Sequence, residues 1–112
     1  MTKYLISFPS EALQLTGAEL QAVAESSHAV VREAQAAGVW VFGGGIDESV
    51  APVTVDADGT VHEGGYPQRR LDGGFTVLEL PNRESALEWA ARFAAGCHCA
   101  QEVSVFGEDA ES

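Results

Sequence analysis

The sequence predicts a small α+β domain built in the order strand, helix, strand, hairpin, strand, helix, strand. Three observations predict it. Short β-branched and aromatic runs recur at residues 4–8, 39–42, 75–80 and 102–106. Two longer stretches instead repeat apolar residues every three or four positions. Between them lies Asp58-Gly59, flanked by Val53-Thr54-Val55 and Thr60-Val61-His62, a hairpin signal in which both turn positions favour positive φ.

The elements follow in order. Tyr4-Leu5-Ile6-Ser7-Phe8 forms the first strand, ended by Pro9, which cannot donate to a ladder. Thr16 and Glu19 have the spacing of a capping box. From there Leu20, Val23, Ala24, Ser27, Val30, Val31 and Ala34 mark one face of a helix, and Gln21, Glu25, Arg32 and Glu33 the wet face. Gly38 is its left-handed end. Val39-Trp40-Val41-Phe42 is a buried strand running into Gly43-Gly44-Gly45, and residues 64–74 form a glycine-rich loop after the hairpin. After the strand 75–80, Asn82 caps a second helix with Ala86, Leu87, Ala90, Phe93 and Ala94 as its stripe, and Gly96 stops it. Glu102 to Phe106 is the last strand.

The chain has 112 residues, enough for one domain over 1–106 with an acidic tail at 107–112. Six Lys and Arg against 17 Asp and Glu give a net charge of −11, which argues against nucleic acid and anionic membranes as partners. No apolar run approaches the roughly 18 residues of a membrane helix, and the N-terminus has no secretory pattern. Cys97 and Cys99, separated only by His98, are too close for an unstrained bridge. A soluble cytoplasmic protein with reduced thiols is expected.

Two β-α-β halves with an extra hairpin between them fit a ferredoxin-like split-βαβ domain, with both helices on one face of an antiparallel sheet. The strands are apolar on both alternations: Leu5 and Ile6, Trp40 and Val41, Val77 and Leu78. A sheet with two apolar faces and helices for one predicts a partner, and a second copy packed sheet to sheet is the simplest.

Lys3-Tyr4-Leu5-Ile6, Ala36-Ala37-Gly38-Val39 before Gly43-Gly44-Gly45, Thr54-Val55 before Asp58-Gly59, Gly73-Gly74-Phe75, the run Ala86 to Phe93 and Glu102-Val103 occur in an order that resembles the YCII-related (DGPF-type) family of dimeric α+β barrels. The resemblance implies the same fold, paired across a homodimer, with a cleft beside the helices. One branch of that family is similar to dehydrochlorinases of aromatic breakdown, for which a His–Asp pair has been proposed. The Asp would fall just after the first strand, where this chain has Ser10 and Glu11. The His would fall mid-helix, where Ser27 stands beside His28. The family's Asp-Gly-Pro-Phe loop corresponds to Glu63-Gly64-Gly65-Tyr66, with the proline displaced to Pro67.

His28, at the edge of the apolar stripe, has the chemistry of a general base in a cleft; otherwise it is a helix-edge histidine bonded to backbone or water. The segment from His62 to Asp72 gathers Glu63, Tyr66, Arg69 and Arg70. It is either a loop over the cleft, with Arg70 on an anionic group and Tyr66 stacking, or a loop whose arginines pair with nearby carboxylates. Cys97-His98-Cys99 lacks the spacing of a metal site, and no metal or cofactor is expected. Gly43 to Gly45 is no phosphate loop and instead implies a bend or a close approach. Trp40 and Trp89 are assigned to core or interface.

The leading expectation is a small-molecule enzyme using proton transfer, in elimination or hydrolysis, between the sheet and the first helix. His28 is its base and Glu63 a second acid–base group, with Ser10, Tyr66 and Arg70 as ligand contacts. The alternative is a non-catalytic dimeric module that binds a metabolite or a protein.

Overall fold

The computed structural model describes residues 1–68 and 71–111. Its elements are β1 (Thr2–Phe8), a single 3-10 turn (Ser10–Ala12), α1 (Gly17–Ala36), β2 (Trp40–Gly45), β3 (Val53–Val55), β4 (Val61–Glu63), β5 (Gly74–Leu80), α2 (Arg83–Cys97) and β6 (Glu102–Val105). The order β2-β5-β1-β6 makes one antiparallel sheet, and β3 with β4 makes a separate two-stranded ribbon. This is the α+β arrangement expected of a ferredoxin-like domain.

Tyr4, Ile6, Leu78 and Leu80 share one sheet phase and meet Val30, Ala34, Ala86, Trp89, Ala90 and Phe93 of the two helices in one core. Ile6, Leu78 and Leu80 are the largest side chains fully shut from water; each such burial contributes about 1.5–3 kcal/mol. Leu5, Phe75 and Val77 alternate onto the opposite face, where Phe42 sets its ring edge-on to Phe75 at 5.7 Å.

Several local expectations are corrected. The strand expected to be buried at 39–42 is an exposed edge: Val41 is 43 % and Phe42 57 % exposed. A register shift between Trp40 and Phe42 turns Trp40 toward the helices and Phe42 away from them. The three glycines do not follow this strand but belong to it, pairing with Thr76, Phe75 and Gly74.

Thr16 is the N-cap of α1, yet its side chain makes no capping bond. Gly17 beside it takes φ +59°, which turns the chain away from the geometry that the capping box requires. The other end is as expected. Gly38 at φ +76° donates to Gln35 O, and Val39 N donates to Ala34 O, a Schellman termination.

Gly96 does not stop α2. It is buried inside the helix, which ends instead at His98 in the left-handed conformation, φ 59°. Asn82 caps the start as read, accepting from Ser85 N at 2.9 Å. Leu87 stands 46 % exposed while Trp89 is buried, so the stripe lies rotated from the expected one.

The hairpin turn at Asp58-Gly59 uses one positive φ, not two. Gly59 at φ +90° donates to Asp56 O, and Asp56 N closes onto Thr60 O. The ribbon projects from the domain, and the radius of gyration is 15.5 Å against about 13 Å for a compact chain of this length.

Candidate functional site

A cleft of about 410 Å³ opens between the sheet and the two helices. The first helix contributes Ser27, His28 and Val31; the second contributes Phe93 and Cys97. The sheet contributes Phe8, Trp40, Thr76 and the strand-end glycines Gly43, Gly44, Gly45 and Gly74, with Phe75 at the border.

The glycines shape this space. A Cβ on Gly43 would lie 2.8 Å from the Trp40 ring, 2.8 Å from Phe75 O and 3.0 Å from the Thr76 methyl, so no side chain fits there. A Cβ on Gly74 would strike the Phe8 ring at 2.7 Å. Gly45 differs: it lines the cleft, and nothing lies nearer to its Cβ position than Gly73 O at 4.0 Å.

The walls are mostly apolar and aromatic. Among the described residues no Lys, Arg, Asp or Glu lines them. Four polar side chains remain, and two of these are already engaged or unreactive. Ser27 Oγ donates to Ala24 O within its own helix at 3.0 Å. Burial, and after it the neighbouring Cys99, pushes the Cys97 thiol up to about 11. At neutral pH Cys97 is therefore protonated and is no nucleophile.

His28 sits at the exposed mouth rather than half-buried. Among the described residues no carboxylate pairs with it and no hydrogen bond fixes its ring. Thr76 Oγ1 is the opposite case. It is shut from water and has no hydrogen-bond partner among the described residues, a situation that costs about 1–3 kcal/mol.

The other candidates are placed elsewhere. Ser10 lies in the 3-10 turn, where Asp72 Oδ1 accepts from its amide at 3.0 Å and Oδ2 from its hydroxyl at 2.8 Å. Glu63 is exposed on β4, and Tyr66 stands 80 % exposed beyond it. Neither borders the cleft. Arg69 and Arg70 lie outside the described residues. The ribbon carries its own exposed pair, His62 Nε2 to Asp56 Oδ2 at 2.7 Å. Cys97, His98 and Cys99 diverge, since His98 is the exposed helix end while Cys97 is buried.

Thr76, Phe8 and Phe93 were missed as site residues. For Thr76 a signal existed: it is the polar member of the phase Thr76, Leu78, Leu80, which faces the helices.

No family model and no curated protein matches the sequence. A solved structure similar in fold is 5-chloro-2-hydroxyhydroquinone dehydrochlorinase (TftG) from Burkholderia phenoliruptrix AC1100, in complex with 2,5-dihydroxybenzoquinone. The two are 16 % identical, the match covers 97 % of each chain, and the TM-score is 0.51. What the chain shares with that enzyme is its fold.

Proposed function

We propose that the cleft binds a small organic molecule and that the protein acts on it by proton transfer, in an elimination or hydrolysis, as a YCII-related enzyme. The observation that carries this reading is His28 at the mouth of an otherwise apolar cleft. An imidazole there is reachable by substrate and has the chemistry of a general base. The structural neighbour is a dehydrochlorinase of 5-chloro-2-hydroxyhydroquinone, which supports chlorinated hydroxyhydroquinones as the first compounds to try. In such an elimination the ring reacts as its keto tautomer, one hydroxyl proton having moved onto the chlorine-bearing carbon; His28 then accepts a second hydroxyl proton, a carbonyl and a new ring double bond form, and chloride leaves with its bonding electrons.

The same reading takes the protein as a cytoplasmic homodimer. Leu5, Phe42, Phe75 and Val77 on the helix-free face of the sheet support packing against a second copy.

The test is chloride release from chlorinated hydroxyhydroquinones by the wild-type protein and by His28→Ala. Turnover that falls by about 100-fold in the variant supports the base; equal turnover removes His28 from the mechanism. A second reading, a non-catalytic binding module, is favoured by one observation: His28 has no carboxylate to orient it among the described residues. Saturable binding of 2,5-dihydroxybenzoquinone without release of chloride from any compound tried would establish that second reading.

A further inference from the structure

Thr76 lines the cleft with a hydroxyl that is shut from water and has no hydrogen-bond partner among the described residues, and resting on the reading of the cleft as a ligand site, we propose that its hydroxyl selects the ligand. The class it selects is a flat, uncharged or weakly acidic ring bearing an oxygen substituent, such as a phenol.

Three observations carry this. First, Thr76 Oγ1 has no hydrogen-bond partner among the described residues, which make no use of it, and a valine would fill the space without that cost. Second, inside the mouth held by His28 the remaining polar groups leave little else to read a ligand with. Ser27 is bonded to its own helix, and Cys97 is a neutral thiol. Third, among the described residues the lining has no charged side chain, while Trp40, Phe8 and Phe93 offer aromatic surface. A carboxylate or phosphate would find no Lys or Arg on that lining among the described residues. A ring with a hydroxyl or carbonyl finds both stacking and one partner.

The geometry supplies the movement needed. The Thr76 methyl and the Trp40 ring flank the Cβ position of Gly43, at 3.0 and 2.8 Å, and all three residues line the cleft. Threonine side chains occupy discrete staggered positions. One step of χ1 carries the hydroxyl from its sealed place to the place its methyl now holds, where a ligand oxygen meets it. His28, on the helix wall, then faces the same ring from the mouth.

The test compares phenol with toluene, which have nearly the same shape and differ in one hydroxyl, by NMR titration of the wild-type protein, Thr76→Val and Thr76→Ser. The wild type is expected to prefer phenol by about tenfold, the worth of one hydrogen bond that would otherwise be lost. Thr76→Val is expected to lose that preference while binding toluene as well as before, and to melt no lower than the wild type. Thr76→Ser keeps the hydroxyl and the preference. An equal preference in wild type and Thr76→Val overturns the proposal, and so does a lower melting temperature for Thr76→Val, which would show that the fold uses the hydroxyl. If neither compound shifts cleft resonances of the wild type, the cleft reading fails, and this inference fails with it.

Discussion

Ser26 and Gly96 join the two helices where they cross: the Ser26 hydroxyl donates to the Gly96 carbonyl across the contact. Gly96 permits that closeness. A Cβ on it would lie 2.9 Å from Val30 Cγ2 and 3.0 Å from Ser26 O. The cleft begins on either side of this crossing, with Ser27 and His28 next along α1 and Cys97 next along α2.

Gly96→Val should therefore destabilise the fold by about 1–3 kcal/mol, because the added methyls overpack a crossing that cannot open freely. Gly96→Ala should cost less, since Val30 is able to shift while the Ser26 carbonyl is not. Thermal melting by circular dichroism reads both; an unchanged melting temperature for Gly96→Val would mean that the helices do not meet here.

Ser10 and Asp72 fasten the end of β1 to the segment entering β5. Ser10→Ala removes the hydroxyl bond and leaves the amide bond, and should cost about 1 kcal/mol. Urea unfolding should show a lower midpoint with an unchanged slope. No shift of the midpoint would show that Ser10 and Asp72 are not fastened in solution.

Burial raises the Cys97 thiol from its ordinary 9.0 to about 11. The folded state thus holds this proton more tightly than the unfolded chain does. Its contribution to stability is complete below about pH 9 and is lost as pH rises toward 11. Stability should fall over that window, and Cys97→Ala should flatten the fall. In the native protein, alkylation by iodoacetamide at pH 8 should be slow; rapid modification of Cys97 would contradict its burial.

Phe42 is the exposed aromatic on the helix-free face, in edge contact with Phe75. If a second copy covers that face, Phe42→Glu should convert a dimer to a monomer in sedimentation velocity. A wild-type protein that sediments as a monomer would exclude this pairing.

The fold was readable because its signals are local. Alternation in β1 and β5, the Asn82 cap and the Gly38 termination each act within a few residues, and the structure keeps all of them. The errors arise where a distant contact overrides a local preference. Gly96 reads as a helix stop, yet α1 needs a residue without a side chain there. Phe42 reads as buried until the register shift turns it outward. His28 lines the cleft between the sheet and the helices, but Glu63 and Tyr66, read as part of a loop over it, do not border it, and Glu63 belongs to the ribbon. Thr76 was legible only as a polar residue out of place in an apolar phase.

The central claim is that a ligand occupies the space between the sheet and α1. Gly45 allows the most direct measurement, since its φ is not positive and its Cβ position is open. Gly45→Leu should fold as well as the wild type and fill the cleft with its own side chain. Titrated with phenol and followed by NMR, the wild type should show saturable shifts at His28, Trp40 and Thr76, and Gly45→Leu should bind at least about tenfold more weakly. Equal binding by the two proteins, or shifts confined to residues outside the cleft, would contradict the account.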